Sequence, residues 1–158
     1  MNTYQWQANH LSRPNGSDGG NLRLTLRLEG GKSQSAYQVD VKTKAGEILE
    51  TTGKVSSRDT FCRLEKRIPW RSRARINLRI WDASGKEGQG AALDVMTGIE
   101  REAWKAVWIH PELTCDPKKR KTGSYLSKKF DVKNLGAAMP YLTAHGICTM
   151  YAHGLSIT

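Results

Sequence analysis

The sequence predicts an all-β protein built on an antiparallel β-sandwich, and three observations carry that expectation. Apolar residues alternate with polar ones at period 2 in several short runs. Gly, Pro, Asn and Asp punctuate those runs at the spacing of short strands and tight turns. No heptad pattern, fixed-period repeat or low-complexity stretch competes with this reading.

Taken in order, residues 1–21 hold Pro14, Gly16, Gly19 and Gly20 among polar residues, and read as a flexible leader with little regular structure. Leu22, Leu24, Leu26 and Leu28 then share one parity, with Arg23, Thr25 and Arg27 on the other, so the leucines face inward and the arginines face water. Glu29 to Lys32 is a turn. Tyr37, Val39 and Val41 repeat the pattern, Ala45-Gly46 turns the chain, and Ile48 to Val55 is a weaker strand. Ala74, Ile76, Leu78 and Ile80 alternate with Arg73, Arg75, Asn77 and Arg79. Asp82 to Gly85 turns that strand, and Ala91 to Thr97 returns it. Residues 99–109 fit either a short helical start, with Glu100 and Glu102 in its first turn, or a strand through Trp104, Ala106 and Trp108. Residues 111–124 read as a polar loop. Tyr125 to Val132 and Tyr141 to Tyr151 look like two or three further strands.

The 158 residues, 38% hydrophobic and 25% charged, belong to a globular composition. No run approaches the ~18 apolar residues of a membrane-spanning helix, and the first ten residues lack the basic and apolar regions of a secretory signal. Lys and Arg outnumber Asp and Glu by 25 to 15, giving a net charge of +10. That excess favours an acidic partner: nucleic acid, anionic lipid or an acidic polymer. It is spread along the chain, as on a solvated surface. Cys62, Cys115 and Cys148 are odd in number and far apart, which argues against a disulfide framework and for a reducing, cytoplasmic setting.

Six segments occur in order: QSAYQVDV (34–41), GKVSS (53–57), INLRIWDASGK (76–86), WKAVWIHPE (104–112), YLSKKFDV (125–132) and AMPYLTAHGICTMYAHG (138–154). Each alone is weak. Their order and spacing together resemble the N-terminal region of the bacterial α-L-rhamnosidases, over roughly residues 20 to 154. The resemblance implies a fibronectin-III/immunoglobulin-like sandwich over 22–98. It also implies the start of a second, jelly-roll-like sandwich over 99–158, beginning near Trp104. In that family the region precedes a helical barrel that hydrolyses terminal L-rhamnose by inversion, which needs two carboxylates roughly 6.5–9.5 Å apart. Those carboxylates belong to the barrel, so none of the acidic residues here is matched to the catalytic acid or base. Two departures stand out. Arg75, Ile76 and Asn77 replace the aromatics usual before the Trp-Asp pair, and Ala152-His153-Gly154 replaces a turn that usually carries Asn-Gly. Loss of the Asn weakens the expectation of a hairpin there, because Asn tolerates positive φ.

Candidate chemistry is sparse. His145, Cys148 and His153 suggest zinc, but the spacing is loose, no fourth ligand is evident, and on a strand Cys148 would face away from both histidines; packed or rim residues is the preferred reading. Pro117, Lys118, Lys119, Arg120 and Lys121 form a basic run that reads as a solvated loop rather than a phosphate-binding one. Arg71, Arg73, Arg75 and Arg79 form a basic stripe, read as the outer face of the sandwich; Trp81 alone continues it with an aromatic. Trp104 and Trp108 could stack on a sugar, but are read as core or interface. No catalytic, metal or cofactor site is assigned, and no cofactor is expected.

The leading functional expectation is therefore a non-catalytic sandwich module of an α-L-rhamnosidase-like glycoside hydrolase. Its partners would be the catalytic barrel and rhamnose-containing glycans. Residues 104–158 supply too few strands to close a sandwich, so pairing with a second copy is expected as well. The alternatives are a small basic nucleic-acid adaptor and a free-standing carbohydrate-binding module.

Overall fold

The computed structural model describes residues 1–110, 123–129, 131, 133, 139–145 and 147–157. The chain divides into a sandwich unit, Met1–Ala103, and a C-terminal unit, Trp104–Thr158.

In the sandwich unit the alternating segments become strands: β1 (Thr3–Ala8), β2 (Asn15–Ser17), β3 (Arg23–Leu28), β4 (Ala36–Thr43), β5 (Ile48–Thr51), β6 (Phe61–Arg63), β7 (Arg73–Trp81) and β8 (Ala91–Thr97). They form a five-stranded sheet in the order β2-β8-β7-β4-β5 and a three-stranded sheet in the order β1-β3-β6. Register follows the hydrophobic pattern, because a slip of one residue would turn every apolar side chain to water. Val41 stands opposite Ile76 and Ile76 opposite Leu93. On the other sheet Leu26 stands opposite Trp6, and Leu24 lies between Ala8 and Cys62. These side chains join Leu22, Leu64 and Ile68 in one buried cluster. Trp6 crosses it, its indole Nε1–H donating to the carbonyl of Ile76 at 3.5 Å.

Two expectations are corrected here. Residues 1–21 are not a leader, because they contribute β1 and β2. Trp6 and Ala8 are buried against β3, and their burial outweighs the turn residues that follow them. Those residues do make turns: Asn9 and His10 have positive φ, and Gly19 at φ +74 passes so close to the Ile68 carbonyl that no side chain fits. The sandwich is also not purely antiparallel, since β2 runs parallel to β8 at the edge of the larger sheet.

In the C-terminal unit the regular structure of the described residues is one hairpin, β9 (Tyr151–Ala152) with β10 (Leu155–Ser156). Of the strands expected over Tyr125 to Val132 and Tyr141 to Tyr151, residues 125–129, 131, 141–145 and 147–150 form no strand, Tyr151 opens β9, and residues 130, 132 and 146 lie outside the described residues. Ahead of the unit, Arg101–Ala103 is a single 3-10 turn, and residues 104–110 continue it neither as helix nor as strand. The hairpin does close without Asn: His153 takes φ 49 and Gly154 φ 78, both in the region a two-residue turn demands. Histidine is one of the residues that enter that region most readily.

Candidate functional surfaces

The outer face of the five-stranded sheet carries the basic stripe. Parity sends Ile76, Leu78 and Ile80 into the core and leaves Arg73, Arg75 and Arg79 exposed. Arg71 lies outside the strand, at φ 54 in the preceding turn, and pairs with Glu100 at 3.4 Å. Arg75 pairs with Asp94 on β8 at 3.4 Å, and Arg79 with Asp40 on β4 at 3.8 Å. Cross-strand carboxylates thus neutralise much of what the sequence presents as a one-sided stripe. Burial alone would raise the Asp40 carboxyl, but hydrogen bonds from Thr51 and Gln38, with Arg79 and Lys42 nearby, hold it below the usual carboxylate range. Trp81 is buried, with the Lys54 ammonium 4.4 Å and the Arg79 guanidinium 5.6 Å from its ring, so its face is not open for stacking.

A shallow groove of about 440 Å³ opens on this face among Asn15, Lys44, Arg73, Arg75, Asp94 and Met96. Its size suits a small ligand. Its chemistry does not suit two-carboxylate hydrolysis, because Asp94 is the one carboxylate in the lining and is already held by Arg75.

Among the described residues, the candidates of the C-terminal unit are not gathered into a metal or catalytic site. Trp108 is 61% exposed and stacks on His145 with ring centroids 4.1 Å apart; sequence parity could not foresee that contact. Trp104 and Tyr141 are half-buried. Cys148 is an exposed free thiol, His153 sits in the hairpin turn, and no metal-binding cluster occurs among the described residues. The run Pro117 to Lys121, and Cys115, lie outside the described residues. Cys62 is a half-buried thiol whose pKa burial pushes up to about 11, with the Glu50 carboxylate adding to the rise.

The outer face of the smaller sheet went unnoticed in the sequence. There Arg23 and Arg63 stand directly opposite each other, and Thr25 stands opposite both Phe61 and Gln7. The Arg23 guanidinium lies 4.7 Å over the Phe61 ring. The signal was present in the alternation of β3, but β6 is too short for its parity to be read alone.

Residues 3–99 match the profile of the Rha78A-like, N-terminal immunoglobulin domain. The chain belongs to that family. Similar solved structures are α-L-rhamnosidases. That of Streptomyces avermitilis, complexed with L-rhamnose, is 26% identical with a TM-score of 0.56, over 61% of this chain and 10% of its own. That of Dictyoglumus thermophilum is 24% identical with a TM-score of 0.59, over 67% of this chain and 13% of its own. That of Aspergillus terreus is 19% identical with a TM-score of 0.56, over 66% and 13%; these last two likenesses speak for the fold. The matched region thus spans about a tenth of the length of such enzymes. No curated protein matches the chain. The sequence resemblance to the N-terminal region of rhamnosidases is borne out, and the sandwich is of immunoglobulin type.

Proposed function

We propose that this immunoglobulin-like domain is a non-catalytic module of an α-L-rhamnosidase-like glycoside hydrolase, whose complete enzyme hydrolyses terminal L-rhamnose. The match of residues 3–99 to the N-terminal immunoglobulin family carries the reading. The module braces the helical catalytic barrel and helps to hold the glycan. The groove supports the non-catalytic part, since it offers a single ion-paired carboxylate where inversion needs a separated pair. A cytoplasmic setting and self-association belong to the same proposal. An aryl α-L-rhamnoside assay tests it: the purified chain is expected to stay at background. Turnover that copurifies with the folded chain and survives a host-enzyme control would overturn it.

A further inference from the structure

The two sheets treat charge differently on their outer faces. On the larger sheet, Asp40 and Asp94 stand among the arginines and pair with them. On the smaller sheet, the three strands read TYQWQA, RLTLRL and FCR, without a single Asp or Glu. Arg23, Arg27 and Arg63 are all exposed there, and no ion pair joins them to a carboxylate among the described residues.

Arg23 and Arg63 are directly opposed across β3 and β6, an arrangement of like charges that costs stability. Arg27, opposite Gln5, sits four residues further along β3, about 13 Å from Arg23. Between them lie Thr25, Gln7 and the 45% exposed Phe61. The face therefore offers cations at both ends of a short track, with an apolar ring and an amide between them.

We propose that this face binds a carboxylate-bearing polysaccharide, a polyuronate. The inference rests on the glycosidase-module reading and adds to it a class of glycan. Guanidinium groups take carboxylates through paired N–H donors, so anions spaced along a chain relieve the Arg23–Arg63 repulsion. Phe61 offers its ring to the C–H face of a sugar, and Gln5 and Gln7 offer amides to hydroxyls. A single-stranded nucleic acid fits less well. Such binders stack successive bases on several aromatic platforms, and among the described side chains of the three strands this outer face holds a single aromatic, Phe61.

Native gel electrophoresis of the full chain through gels containing polygalacturonate, neutral dextran or single-stranded DNA tests this. Polygalacturonate is expected to retard the chain, dextran is not, and added salt should release it. The double variant R27E/R63E, and its milder form R27Q/R63Q, are expected to weaken retardation by about tenfold or more. R73E, on the other sheet, should change it little; circular dichroism confirms that each variant folds. Equal retardation of R27E/R63E and wild type, or equal loss in R73E, would overturn the proposal. So would tighter binding to DNA that the same pair of substitutions abolishes. The rhamnoside assay reports separately on the module reading, so a failed gel beside background turnover sinks the polyuronate face alone.

Discussion

Both units alternate apolar and polar residues, yet among the described residues only one of them buries its apolar set. In the sandwich unit Leu24, Ile76 and Ile80 are fully buried. Among the described residues from Trp104 onward none is buried, and Val107, Tyr125 and Ile147 stand 80%, 96% and 104% exposed. The difference teaches what period 2 does and does not determine. Alternation says which side of a strand is apolar. It does not supply the neighbouring strands that satisfy its backbone, or the facing sheet that covers the apolar side. β7 has both: β4 on one edge, β8 on the other, and β3 side chains across the core. The hairpin β9–β10 is two residues per strand, with neither provision among the described residues.

The sharpest way to break this contrast is to remove apolar volume from each unit. Leu78→Ala is expected to destabilise the sandwich by about 2–5 kcal/mol, the transfer loss plus the cavity. Ile147→Ala is expected to stay within about 0.5 kcal/mol, as for an exposed site. Urea unfolding measures both. If the two variants shift the midpoint equally, the C-terminal unit has a core of its own and the contrast fails.

The same contrast decides what the sequence made legible. β3, β4, β7 and β8 could be read because each carries three or more apolar residues on one parity and closes on a clear turn. β1 was missed because its inward pair, Trp6 and Ala8, is followed closely by residues that usually mark loops. Those residues are turns between strands, and only the pairing of β1 with β3 reveals it. Tyr125 to Lys129 and Tyr141 to His145 were over-read for the opposite reason: propensity was present, but the described residues supply them no partner strand. On the surface, the arginines of β7 were legible as a stripe, but Asp40 and Asp94 are distant in sequence, so their neutralising role was not. Arg63 became part of a cationic face only through its register with Arg23.

Backbone crowding gives a second comparison, of smaller size. A Cβ at Gly19 would meet the Ile68 carbonyl oxygen and lie 2.8 Å from the Thr97 methyl, on a residue already at φ +74. Gly19→Ala is expected to cost about 1–3 kcal/mol. A Cβ at Gly123 in the C-terminal unit would meet nothing within 4 Å among the described residues, and Gly123→Ala should stay within about 0.5 kcal/mol. Thermal melts of the two variants check the ordering; the reverse ordering would mean that the close approach of Gly19 to Ile68 is not part of the folded state.

Each unit also carries a described free thiol that reports on burial without a change of fold. Burial and Glu50 raise the Cys62 pKa to about 11, whereas Cys148 is exposed. At pH 8 alkylation of Cys62 should lag behind Cys148 by about tenfold or more, read by peptide mapping, because the thiolate is the reactive form. The sign of the pH effect follows. The folded state holds the Cys62 proton more tightly than an unfolded chain with a thiol pKa near 9. Its contribution to stability is full below about pH 9 and is lost as pH rises through about 11. Cys62→Ala should flatten that part of the stability profile. Matching alkylation rates at the two thiols would contradict the burial difference.

The smallest effect belongs to the surface of the sandwich unit and tests whether its core alone separates it from the C-terminal unit. Arg79 makes two contacts on the outer face, the ion pair to Asp40 at 3.8 Å and the approach to the Trp81 ring at 5.6 Å. Its side chain is 46% exposed, so water screens the ion pair, and holding the long side chain in place costs entropy. Neither partner is orphaned when the guanidinium goes. Asp40 keeps its hydrogen bonds from Thr51 and Gln38, and Trp81 keeps the Lys54 ammonium at 4.4 Å. Arg79→Ala should therefore shift stability by no more than about 0.5 kcal/mol, with the urea slope unchanged. Combining it with Asp40→Asn should reveal a coupling of only a few tenths of a kcal/mol. A loss approaching that of Leu78→Ala would mean that the charged outer face, rather than the buried cluster, holds the sandwich together.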